Sequence, residues 1–240
     1  MPTNRKYKKK RSYRKGKRRR RMKYRKRRKA LRVGFPLKYT CKLRYTDTIA
    51  LDAPSDGTAY HTFRANNIFD PDYSGTGHQP RHYDMLAEIY DNYTVIGSKI
   101  TAKVVGYSNS SDDAQAIGIR ISPDASLQLP NTDIAALHEM GRSAGTTWTM
   151  VKSTEPLQTR TITKKWSQRR MKAIGGSTND DVLMGQTDGS GPSKEDFFTV
   201  FTTAAGMLAD ISDNPPQLRL LITVDYICVF TGMKGNLPQD

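Results

Sequence analysis

Residues 37–51 read LKYTCKLRYTDTIAL, where Tyr39, Cys41, Leu43 and Tyr45 alternate with Thr40, Lys42, Arg44 and Thr46. A period of two sends alternate side chains to opposite faces of an extended chain, so the stretch predicts a half-buried β-strand. Working outward, strands are expected at residues 60–69, 94–107, 116–121, 146–151, 158–166, 196–204 and 217–230. In the strand over 94–107, Ile100, Ala102 and Val104 alternate with Lys99, Thr101 and Lys103. The last, QLRLLITVDYICVF, is the strongest strand signal in the chain. Met85, Leu86 and Ile89 lie at helical spacing and predict a short helix over 81–90. One helical turn is expected over 134–140, and the Gly-, Asp- and Ser-rich residues 175–194 read as a loop. No βαβ alternation appears, so the sheets should be antiparallel. About eight such strands fit an all-β fold, an eight-stranded antiparallel jelly roll with one short helix.

Before this body lies MPTNRKYKKKRSYRKGKRRRRMKYRKRRKALR, with twenty Lys and Arg and no Asp or Glu. The bases are Arg5, Lys6, Lys8, Lys9, Lys10, Arg11, Arg14, Lys15, Lys17, Arg18, Arg19, Arg20, Arg21, Lys23, Arg25, Lys26, Arg27, Arg28, Lys29 and Arg32. The chain has 39 bases and 23 acids, which leaves nineteen bases against all the acids beyond Arg32, a net charge of about −4 there. Apolar residues are too few to offset the entropy of folding, and like charges repel. Residues 1–34 are therefore expected to be a disordered arm, and residues 35–240 a separate domain. Dense positive charge binds polyphosphate by releasing condensed counterions, and a flexible arm suits single-stranded nucleic acid. Tyr7, Tyr13 and Tyr24 can stack on unpaired bases; they can equally be solvated. A basic run of this kind is also a nuclear-import signal. Binding to a membrane surface is disfavoured, because the arm has no apolar face.

Other features bound the function. Cys41 and Cys228 sit in apolar strands and read as buried free thiols. No apolar run approaches a membrane span, and the basic start of the sequence is not expected to act as a secretory signal. Gly141-Arg142-Ser143-Ala144-Gly145 matches the nucleophile pattern of hydrolases, but with a helix before it and a strand after it, the reverse of what that turn needs. His78 and His82 have metal-ligand spacing with Pro80 between them, and His61 and His138 are isolated. Asp180, Asp181 and Asp188 lack the spacing of a calcium loop. Asn92-Tyr93-Thr94 and Asn109-Ser110-Ser111 match the glycosylation pattern, which means little without a secretory signal. No catalytic residue, metal site or cofactor is expected, and the protein is not expected to be an enzyme.

Two stretches carry a resemblance: Phe63-Arg64-Ala65-Asn66-Asn67-Ile68-Phe69-Asp70-Pro71, and residues 83–100, YDMLAEIYDNYTVIGSKI. Together with the arm and the apolar last strand, they resemble the coat proteins of small circular single-stranded DNA viruses, the circovirus-like group. The resemblance implies a jelly-roll shell domain and self-assembly of about sixty copies into a small icosahedral (T=1) shell. It further implies an interior arm on a single-stranded DNA genome, and nuclear entry through the import machinery. The host receptor is not given by it. Arms in that number would neutralise on the order of a thousand phosphates. On this reading the protein resides in the virion and, during infection, in the host nucleus.

Two further groups are candidate inner-surface contacts. Arg160, Lys164, Lys165, Arg169, Arg170 and Lys172 cluster around Trp166 and read as a phosphate patch, with Trp166 stacking on a base or, like Trp148, lying in the core. Lys38, Lys42 and Arg44 share one face of the first strand and either meet the genome or form an exposed polar face. The alternatives are a cellular nucleic-acid-binding protein of ribosomal or chromatin type and the coat protein of a small RNA virus. The slightly acidic body argues against the first, and residues 63–100 against the second.

Overall fold

The structure is a computed structural model that describes residues 35–54, 57–108, 111–126, 146–153, 159–171, 181–203 and 215–235. Contacts divide the chain into Met1–Phe35 and Pro36–Asp240. The expected disordered arm over 1–34, the helical turn over 134–140, the Gly141–Gly145 pattern, His138, Lys172 and Asp180 lie outside the described residues.

Two antiparallel sheets face each other. In chain order the elements are β1 (Lys38–Leu51), β2 (Thr58–Arg64), α1 (Tyr83–Ala87), β3 (Tyr90–Tyr107), β4 (Ser111–Ser122) and β5 (Thr146–Ser153). They continue with β6 (Thr161–Ser167), α2 (Gln168–Met171), β7 (Met184–Gln186), β8 (Phe197–Thr203) and β9 (Leu218–Met233). One sheet has the order β1-β9-β3-β6, and the other β2-β8-β4-β5. This ordering is that of a jelly roll. Among the described residues nine strands make the two sheets, eight of them in these two orders. The three-residue β7 adds to the edge of β3, pairing Met184–Gln186 with residues 92–94 beyond the end of β6.

Alternation builds the core. Leu43, Tyr45, Ile49 and Leu51 of β1 are buried, as are Leu218, Leu220, Ile222, Val224 and Tyr226 of β9 and Ile100, Ala102 and Val104 of β3. They pack against Phe63, Ile117, Ile119, Ile121, Phe198 and Val200 from the opposite sheet. Each large apolar side chain removed from water in this way contributes about 1.5–3 kcal/mol. β8 is buried on both faces, and on its far side Phe201 lies against Gly118, where any side chain would meet the ring. Cys41 and Cys228 face each other across β1 and β9 as free thiols. Burial pushes the Cys41 thiol up to about 11.

Two elements end earlier than their patterns predict. The strand expected over 60–69 stops at Arg64, and the helix expected over 81–90 is only Tyr83–Ala87. Met85 is exposed, while Tyr83 is the residue that α1 buries. The chain leaves β2 at a corner that joins the sheets through buried polar groups. Arg64 donates to the Asp70 carboxylate at 2.7 Å, to Glu195 at 3.1 Å, and to the Asp70 and Asp72 carbonyls. Asn66 bonds the Lys194 carbonyl and the Asp196 amide. The Asn67 side-chain oxygen accepts from the Phe69 amide at 2.9 Å and from the Tyr93 hydroxyl at 2.8 Å, and its nitrogen donates to Glu195 at 2.7 Å. Ser98 donates to the Ala65 carbonyl, and Tyr226 to that of Arg64. The first resemblance stretch is this corner, and the second supplies α1 and the first part of β3.

Removing a shared acceptor orphans several buried donors at once. Asn67→Ala should lower stability by about 2–4 kcal/mol, whereas Met85→Ala, at an exposed position of α1, should change it by less than about 0.5 kcal/mol. Chemical denaturation of the two variants checks this.

Candidate nucleic-acid interface

The outward side of the β1-β9-β3-β6 sheet is where exposed bases gather. Because β1 alternates, Lys38, Lys42 and Arg44 all point away from the core. Register then aligns strands that are distant in sequence. Arg44 pairs with Asp225, Asp225 with Lys99, and Lys99 with Lys165, which makes one row across four strands. In the next row Lys42 pairs with Ile227, Ile227 with Gly97, and Gly97 with Ser167. Lys103 and Arg219 continue the same face. Asp225 is the acid among the described residues of this face.

Asp225 organises the bases around it. Its side chain is 7% exposed and meets Arg44 at 2.7 Å, Lys42 at 3.3 Å and Lys99 at 3.9 Å, whose side chains are 63%, 57% and 42% exposed. Burial pushes the Asp225 carboxyl up, but hydrogen bonds from Arg44 and Lys42, together with their charges, outweigh it and hold the group below the ordinary carboxylate range. One carboxylate against three cations leaves an excess of positive charge at the surface.

The basic cluster that is contiguous in sequence is divided by the fold. Lys165 points outward into the cationic row, whereas Lys164 points the other way and donates to the Thr147 hydroxyl at 3.0 Å, bridging β6 to β5. Trp166 shares the inner side with Lys164. It is 2% exposed and donates to the Asp196 carboxylate at 2.7 Å, so the ring packs in the core. Trp148 is half-buried opposite Gly118 on the far face of β5, outside the inter-sheet core. Arg160, Arg169 and Arg170 are exposed near the two ends of β6. Sequence adjacency did not reveal Lys99, Lys103, Arg219 or Asp225 as members of the face. The available signal was an isolated charge at every second position of strands otherwise apolar on the other side.

Three of the other titratable residues, His61, His78 and Asp188, make local contacts. His61 meets Asp72 at 2.9 Å, His78 bonds the Gln79 and Thr46 carbonyls, and His82 precedes α1 in a left-handed conformation. Asp188 accepts from the Ser190 amide.

No protein-family model matches the chain, and no curated protein matches it. Solved structures do resemble it. The 60-mer BFDV capsid protein is 8% identical over 86% of this chain and 100% of that one, with a TM-score of 0.44. The empty head of turnip yellow mosaic virus is 13% identical over 86% and 87%, at 0.43. The semi-empty particle of the freshwater-prawn Macrobrachium rosenbergii nodavirus is 13% identical over 84% and 97%, at 0.42.

A carboxylate held low stabilises the fold above its unfolded value, about 3.9, and that stabilisation is lost as pH falls through the lower folded value. Asp225→Asn should therefore be less stable than the parent at pH 7 by about 1–3 kcal/mol. The gap should close as pH falls below about 4. Denaturant melts across that pH range measure both.

Proposed function

We propose that this chain is a viral coat protein that self-assembles into a small icosahedral shell and holds single-stranded DNA. Residues 1–34 serve as the packaging arm and nuclear-import signal, and residues 35–240 as the shell domain. The observation that carries this reading is the placement of charge. Twenty bases without an acid run to Arg32, and β1 then opens with Lys38, Lys42 and Arg44 on the outward face of a jelly-roll sheet that also carries Lys99 and Lys165. Arm and face together suit a flexible polyanion.

The rest of the body fits assembly better than solution binding. Its net charge is small, so copies packed side by side repel weakly. Tyr60, Tyr73, Met85 and Met150 are exposed large apolar residues of the kind that subunit contacts cover. DNA rather than RNA follows from the resemblance of residues 63–100 to circovirus-like coat proteins. The proposed partners are further copies of this chain, the genome and the import machinery. The proposed sites are the virion and the host nucleus, and the role is structural rather than enzymatic.

The test is negative-stain microscopy with the 260/280 nm absorbance ratio, on the full chain and on a chain that begins at Val33. Uniform shells from both, with DNase-sensitive nucleic acid inside the full-length shells alone, are expected. RNase-sensitive contents would favour the RNA-virus alternative. Small species that never assemble, even with added single-stranded DNA, would favour a cellular binding protein.

A further inference from the structure

The cationic row borders a groove of about 450 Å³ lined by Lys42, Ile96, Gly97, Lys99, Lys165 and Ile227, among others. Its floor is apolar and its rim is basic. A β-bulge makes it: the β3–β9 register shifts between Val95 and Gly97, which takes Ile96 out of the pairing. The next residue is a glycine, whose missing side chain leaves the space above the strand open. Ile227, opposite Gly97, is 45% exposed, an apolar side chain beside the row of Arg44, Asp225, Lys99 and Lys165.

We propose that this groove takes one unstacked nucleotide of a single strand, with its base against Ile96, Ile227 and the Gly97 backbone and its phosphate between Lys99 and Lys165. The inference rests on the nucleic-acid-holding role proposed above and names the unit that this face recognises. Charge decides among occupants. Lys42, Lys99 and Lys165 line the groove together with the single carboxylate of Asp225, which Lys42, Lys99 and the adjacent Arg44 share, so the rim keeps a net positive charge that attracts a polyanion and repels the chain's own basic arm. Duplex bases are stacked and paired and cannot enter, whereas a base in a single strand exposes a flat apolar surface at little cost. The volume falls in the range of small-ligand sites. The lining offers no set of side-chain amides facing a base edge, so every base should be accepted and binding should be insensitive to sequence.

The experiment is saturation-transfer NMR on the full chain, with thymidine 5′-monophosphate as the probe. An oligothymidylate about ten residues long is titrated in parallel. Gly97→Val fills the groove without altering any charge. A Cβ placed there lies 3.5 Å from the Trp166 carbonyl, an ordinary contact. Ile227→Ala, at an exposed position, is the second variant in case the first fails to fold.

Saturation should reach the thymine methyl, and mononucleotide binding should weaken at least about threefold in each folded variant while the oligonucleotide still binds. Lys99→Gln should reduce the salt slope of oligonucleotide binding by about 0.7. Mononucleotide binding that is unchanged in both variants overturns the groove assignment. Oligonucleotide binding with no mononucleotide binding also overturns it and leaves the coat-protein reading standing. If neither probe binds, that reading and the groove fall together.

Discussion

Two sheets can bury their apolar faces against each other only if the backbone that leaves the sandwich finds polar partners, and residues 64–72 meet that requirement. Arg64, Asn66 and Asn67 bond main-chain and carboxylate groups from the β7–β8 connection, while Tyr93, Ser98 and Tyr226 reach across from the other sheet. Each buried polar group is costly alone and favourable when satisfied. The corner therefore sets the spacing of the sheets, and the aromatic core fills it.

Once the inner faces are committed to the core, charge can go only outward. β1, β3, β6 and β9 each place bases on one side because their other side is apolar, and antiparallel register brings those bases into line. Asp225 keeps that line from being pure repulsion. It anchors Lys42 and Arg44 and neutralises a single charge, so the strands can lie side by side while the surface remains cationic.

Much of the sandwich was legible in the sequence, since period-two alternation is a local property: β1, β3 and β9 appear where it runs uninterrupted. What depends on pairing was not. β7 exists only because residues 92–94 offer it an edge, and nothing in Met184–Gln186 distinguishes it from loop. Asn66 and Asn67 look like surface residues until Asp196, Glu195 and Tyr93 close around them. The fold divides the basic cluster for a simple reason. Lys164 and Lys165 are neighbours in sequence, but a strand turns them to opposite faces, whereas Lys42, Lys99 and Lys165 are distant in sequence and share one. Trp166 followed Lys164 inward, so proximity to charge was no sign of exposure.

The central claim is that nucleic acid lies on the outward β1-β9-β3-β6 face as well as on the arm. Ultraviolet cross-linking of full-length particles to their own contents, followed by peptide mass spectrometry, locates it directly. The account predicts cross-links in residues 1–34 and in peptides that contain Lys42, Lys99 or Lys165. Cross-links confined to the β2-β8-β4-β5 sheet would contradict it.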